Sequence, residues 1–300
     1  MALDYHRLKS HAFETGRQAY GEDDCILYAL GVGAGLADDA DVGDETQFIY
    51  EQGLRALPAM AAVLAYPGFW MRDPSHGLDW RQVVHGEQRM RFVRPLPAQG
   101  EVRCRMEVSH VADKRPGAFV VTRRTLSDAA TGRELAVIEQ LNICRGDGGY
   151  SGGDAALNDA LPAPIPAPPE GPADRPPEGP ADRVVLLPTS RNQAALYRLN
   201  ADRNPLHVDP ASARRAGYAR PILHGAALLG MVNRALEPAL RRLPGRRLGG
   251  LDLRFLAPVY PGLPVAVSLW REPEGVALAC HQEDALCAQG RAAWTTEETQ

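Results

Sequence analysis

Between Tyr197 and Asp209 the chain sets Asp202, Asn204 and His207 around Pro205. A proline prevents a smooth helix there, so the polar side chains must be carried on a turn. A carboxylate and an imidazole so close in sequence can share one water. Their reference pKa values, about 3.9 and about 6.5, leave the first ionised at pH 7 and the second available in both forms. Asn204 is suited to fix the loop or the imidazole. Further along, Pro221-Ile222-Leu223-His224-Gly225 leads into a helical pattern. The N–H of Gly225 at a helix start lacks an internal partner and faces an anion favourably. Taken alone, Asp-x-Asn-Pro is ordinary turn chemistry, and a capped turn is as good a reading as catalysis. The full string, with His224-Gly225 behind it, points to acid/base chemistry beside an anion site.

The string resembles the hydratase motif of the type-2 (R-specific) enoyl-CoA hydratases, the MaoC-like dehydratases of the hotdog superfamily, whose pattern reads Asp-x-Asn-Pro-Leu-His. The resemblance covers nearly the whole chain, from Cys25-Ile26-Leu27-Tyr28-Ala29-Leu30-Gly31-Val32-Gly33 through Val84-His85-Gly86-Glu87-Gln88 to the C-terminal half. It implies addition of water to a trans-2-enoyl-CoA to give a (3R)-3-hydroxyacyl-CoA, or the reverse, with no cofactor besides the CoA thioester substrate. That reaction needs a group to take a proton from water, a group to place the water, and donors for the charge on the thioester oxygen. Asp202, His207, Asn204 and the Gly225 N–H are the candidates. The resemblance also implies a CoA ester lying between two halves, touched by His85 and Gly86, by Lys114 in Asp113-Lys114-Arg115-Pro116-Gly117, and by Phe255.

From the residues alone, Lys114 reads equally as a hairpin-tip charge, Phe255 as core and His85 as a half-buried strand histidine. Where the family commonly has Ser or Gly and then Gly before the Asp, this chain has Asn200 and Ala201. The Ala201 Cβ is expected to narrow the slot or impair activity. A hotdog acyl-CoA thioesterase is the nearest rival enzyme, and an acyl-CoA-binding module the rival without catalysis. Asp202, His207 and Asp209 lack a third histidine at metal spacing, so no metal is expected.

The elements that must position these residues read as a duplication. Arg91-Phe92-Val93-Arg94-Pro95 lines up with Arg254-Phe255-Leu256-Ala257-Pro258, Leu57-Pro58-Ala59 with Leu223-His224-Gly225, and Leu27-Tyr28-Ala29-Leu30 with Leu196-Tyr197-Arg198-Leu199. In this register Gly33, Gly35 and Asp38 stand opposite Asp202, Asn204 and His207, so the first half keeps the architecture and lacks the chemistry. Gly31-Val32-Gly33-Ala34-Gly35 follows a helical stretch and is not spaced as GxGxxG, which argues against a dinucleotide loop.

Each half shows an apolar helix and alternating strands: Gly225 to Leu240, then 102–108, 119–122, 135–143, 265–270 and 276–280. The expected fold is α+β; together with the motif it resembles a double hotdog of two antiparallel sheets, each wrapped around its own helix. The expected domains are residues 1–145, non-catalytic and substrate-binding, and 184–300, carrying the motif. Residues 146–183 between them are Gly/Pro-rich. They begin with a flexible glycine stretch, and PPEGPADR occurs twice, as Pro168 to Arg175 and Pro176 to Arg183. Prolines and polar residues without a core make this a linker.

A net charge of -4 over 300 residues gives no reason to expect nucleic acid or an anionic membrane as partner. The longest apolar stretch, Leu57 to Met71, is interrupted by Pro58 and Pro67 and is too short to span a bilayer. Residues Met1 to Ser10 have no secretory apolar region, and Glu297-Glu298-Thr299-Gln300 lacks a Ser-Lys-Leu address. Cys25, Cys104, Cys144, Cys280 and Cys287 are odd in number and without a CxxC pair, as reduced, buried cysteines would be. The expectation is a cytoplasmic homodimer acting on an acyl-CoA.

Overall fold

A computed structural model describes residues 2–37, 42–163 and 179–296. In chain order these hold α1 (Tyr5–Lys9), β1 (Gly16–Tyr20), α2 (Glu22–Gly31), α3 (Thr46–Ile49), β2 (Val83–Phe92), β3 (Gly100–Lys114), β4 (Gly117–Asp128) and β5 (Glu134–Cys144). There follow β6 (Arg183–Leu187), α4 (Gln193–Tyr197), α5 (Pro210–Arg215), α6 (Gly225–Leu240), β7 (Arg246–Phe255), β8 (Val265–Glu272), β9 (Gly275–Gln282) and β10 (Ala285–Thr296).

The strands form one sheet in the order β1-β3-β4-β5-β2-β7-β10-β9-β8-β6. Read outward from the centre, both halves have the same order, so the duplication in the sequence is a duplication in topology. The halves join where β2 pairs antiparallel with β7, Glu87 opposite Arg254 and Arg91 opposite Gly250. Arg91 and Arg254, equivalent in the sequence register, thus pair with positions that are themselves equivalent. Instead of two separate sheets, the halves share one.

Helix α6 packs on β7, β2 and β6, and every residue from Ala227 to Glu237 is buried. A helix covered on all sides must be apolar or have its polar side chains paired. Its outer side is covered by the first half: at Gly230 a Cβ would stand 2.7 Å from the Tyr28 hydroxyl of α2. The counterpart of α6 in the first half is only a 3-10 turn, Pro58–Ala62. Ala65 and Gly68 have positive φ, and Pro67 disfavours helix at Tyr66, so the segment cannot extend as a helix. Asn233 of α6 reaches this turn, its Oδ1 accepting from Ala59 N at 3.0 Å.

A buried ion pair ties the first half to α6. Arg234 Nε and Nη2 donate to Glu45 at 2.7 Å each, and Nη1 donates to Val32 O at 2.7 Å. A Cβ at Gly33 would lie 3.1 Å from the same guanidinium. The position opposite Asp202 is therefore filled by a structural cation. Asp38 lies outside the described residues.

The glycine stretch after β5 is ordered, not flexible as expected. The Asp113 carboxylate accepts from Gly149 N, Ser151 N and Ser151 Oγ, and a Cβ at Gly148 would lie 2.6 Å from Gly117 O. Asp159 accepts from the Tyr5 hydroxyl and Val111 N, and pairs with Lys9 at 3.0 Å. Of the tandem repeat, Pro168 to Arg175 and the first three residues of the second copy lie outside the described residues. Asp182 Oδ2 accepts from Arg271 N, and Arg183 opens β6.

Candidate active site

The turn carrying Asp202, Asn204 and His207 is built by its own side chains. Asp202 Oδ1 accepts from Asn204 N at 2.9 Å, and Asn204 Oδ1 accepts from Leu206 N at 3.1 Å, capping a 3-10 turn Pro205–His207 that begins on the proline. Asn204 thus fixes the loop, through backbone and not through the imidazole. Asn200 turns away, its Nδ2 donating to Tyr197 O at 2.9 Å at the end of α4.

His207 is 8% exposed, and its Nδ1 lies 2.8 Å from Ile222 O. A carbonyl only accepts, so Nδ1 carries the proton and, in the neutral ring, Nε2 presents a lone pair. Burial holds the His207 pKa below the ordinary imidazole value against the opposing pull of Asp202. Nε2 lies 4.0 Å from Asp202 Oδ2. That is too long for a direct hydrogen bond and leaves two acceptors facing one space.

His224 ends the approach to α6. Its Nε2 donates to Asp202 O at 3.1 Å, and its ring stacks on that of His207 with centroids 3.5 Å apart. Burial, then the neighbouring His207, push its pKa well down. His224 is a third possible ligand that sequence spacing did not supply: the ligand atoms of Asp202, His207 and His224 lie within 4.8 Å of one another. The stacked rings keep their in-plane lone pairs in nearly parallel planes, which does not converge them on one ion.

Gly225 opens α6 between two rings. A Cβ there would meet Phe255 at 3.2 Å and His85 Nδ1 at 3.3 Å, and the two rings are themselves 4.7 Å apart. His85 is pushed down to about 4 by burial, and its Nε2 is buried without a partner. Gly86 sits where the β2–β5 register shifts, and a Cβ there would lie 2.9 Å from Leu141 and Ile143 side-chain atoms.

Asp202, Asn204, His207, Gly225, His85, Gly86 and Phe255 all line one cavity of about 440 Å³. Ala201 also lines it. Lys114 does not. It stands at the end of β3 on an adjoining groove with Glu87, Arg89, Arg254 and Leu161. The hairpin tip extends β3 and β4 past the cavity, which the local sequence could not reveal. Tyr66, Arg145 and Arg254 line the cavity and were not anticipated. Tyr66 comes from the segment that replaces a helix, and only Arg254, adjacent to Phe255, carried a signal.

The MFE-2 hydratase 2 N-terminal domain matches residues 18–146 and the MaoC like domain residues 172–281. The chain is 36% identical to 3-hydroxyacyl-thioester dehydratase Y of Mycobacterium tuberculosis, over 85% of this chain and 83% of that protein. It is 32% identical to the peroxisomal multifunctional enzyme type 2 of Mus musculus, covering 87% of this chain but only 34% of that longer protein. The crystal structure of a MaoC-like dehydratase from Phytophthora capsici superposes with a TM-score of 0.79 at 25% identity, over 99% of this chain and 100% of that one. With its double hotdog fold, its paired family domains and its Asp-x-Asn-Pro-Leu-His turn on the cavity, this chain belongs to the family of MaoC-like dehydratases and type-2 enoyl-CoA hydratases.

Proposed function

We propose that this chain is an R-specific 2-enoyl-CoA hydratase, adding water to a trans-2-enoyl-CoA to give the (3R)-3-hydroxyacyl-CoA, or running the reverse dehydration. The observation that carries the reading is the 4.0 Å gap between His207 Nε2 and Asp202 Oδ2, both acceptors. A water in that gap donates one proton to each, which leaves an oxygen lone pair for C3 of the enoyl group. As the C3–O bond forms, one water proton passes to the Asp202–His207 pair and the electrons of the double bond move onto the thioester oxygen. The Gly225 N–H at the start of α6 faces that charge. The proton held by the pair then goes to C2, so that OH and H have been added and both side chains are restored.

Arg145 and Arg254 are the cations on the cavity wall and suit the phosphates of CoA. The chemistry uses protein groups alone, so hydration is expected to persist after treatment with a chelator. No helix among the described residues is long and apolar enough to cross a membrane. A cytoplasmic homodimer is the proposed working form. Exposed Leu30, Leu36, Tyr50 and Leu199, on or beside the contacting helices α2, α3 and α4, support the pairing, and sedimentation measures it.

Incubation with crotonyl-CoA tests the reaction. Loss of the enoyl absorbance without release of thiol is the expected result. Release of free thiol would make the protein a thioesterase, and neither signal would leave an acyl-CoA-binding module.

A further inference from the structure

A second cluster of polar side chains lies away from the reaction. His76 is 1% exposed, and its Nε2 lies 2.9 Å from Nδ1 of His11, with a carboxylate oxygen of Asp73 within 4.8 Å of both. The rings meet edge to face at 70°, unlike the stacked pair in the cavity, with a nitrogen of each at the contact. We propose that His11, Asp73 and His76 form a binding site for a divalent first-row transition cation, which fastens the N-terminal segment to the turn at residues 73–77.

Three features of the site fit that ligand. Two imidazoles and a carboxylate are the donor set for zinc, nickel or copper. A cation about 2.1 Å from each nitrogen would see the 2.9 Å pair at about 90°, the cis angle of an octahedral or tetragonal site. One of the two facing nitrogens carries the proton of their hydrogen bond, and that proton moves to the other nitrogen of its own ring as a cation takes the facing lone pair.

The surroundings support a structural ion. His11 packs on Phe13 at 4.4 Å and on Trp70 at 5.1 Å, and His76 on Trp70 at 5.2 Å, giving an apolar shell around the nitrogens. Asp73 is on the solvent side. One of its oxygens accepts from Ser75 N at 2.9 Å, which orients the carboxylate and leaves the other oxygen for the ion. The segment so fastened already touches the turn, through Asp4 N donating to His76 O at 3.0 Å.

The test titrates the chelator-treated full chain with zinc chloride by calorimetry, and with cobalt chloride by visible absorption, while Tm is followed. About one equivalent per chain is expected, with a higher Tm, as binding to the native state alone requires. His11→Gln and Asp73→Asn, both on the accessible side, should lose the equivalent and the Tm gain while keeping the metal-free Tm. His207→Gln should keep them. Zinc taken up equally by His11→Gln, lost instead from His207→Gln, or not taken up by the native chain would each overturn the assignment.

Discussion

The imidazole of His224 lies face to face with that of His207, centroids 3.5 Å apart and planes 24° from parallel, and donates beneath it to the carbonyl of Asp202. One side chain thereby sets the plane of the proposed base and the position of the residue bearing the carboxylate. Burial keeps His207 neutral and able to accept a proton, and burial together with the His207 ring disfavours charge on His224.

Asp202→Asn and His207→Gln should each lower kcat by about 10² or more, the scale of a lost positioned acid or base, with the circular dichroism spectrum unchanged. The double variant should lose much less than the product of the two, because both groups hold one water. Near-normal turnover in both single variants would remove the mechanism.

The acid limb of kcat/KM should fall below pH 6.5. Burial lowers the His207 pKa, so the neutral, accepting ring persists to lower pH than in a free histidine. A limb centred above pH 7 would mean that another group controls the rate.

Stability should follow the same sign. His85, His207 and His224 bind protons more weakly folded than unfolded, so their contribution is complete above about pH 6.5 and is lost as pH falls. For His85 the loss extends down to about pH 4. Urea unfolding at pH 7 and pH 4.5 should show a smaller acid loss in His85→Asn than in the native chain.

Glu45→Ala should destabilise by about 3–5 kcal/mol, since it leaves the Arg234 guanidinium buried and uncompensated. Combining Glu45→Leu with Arg234→Met should recover much of that loss. Equal destabilisation by single and double variants in chemical denaturation would show that the charge is not the cause.

Removing one PPEGPADR copy should leave hydration and Tm nearly unchanged. Because the copies are identical, the shortened chain still presents Gly-Pro-Ala-Asp-Arg to β8 and β6. A large fall in Tm would show that the missing length is needed to span the halves.

Much of the site was readable without coordinates because its chemistry is local. Asp202 and Asn204 accept hydrogen bonds from backbone two residues further on, and a proline fixes the turn that carries His207, so a short string of residues suffices to specify it. The duplication was equally legible, since Arg91 and Arg254 recur in matching surroundings. Strands β7 and β10 were not, because Gly249, Gly250 and Gly290 weaken the strand pattern. Their reason is tertiary: a Cβ at Gly290 would overlap the Asp252 carbonyl of the neighbouring strand.

The sequence by itself determined the turn, strands β3, β4, β5, β8 and β9 and the long apolar helix, all of which depend on residues close together along the chain. Only the tertiary structure decided that His224 stacks on His207, that Tyr66 from the first half lines the cavity, and that Lys114 lies outside it. It also decided that Arg234 fills the place opposite Asp202. Each of these depends on packing between segments far apart in sequence, where shape and burial select the neighbour and no local pattern records it.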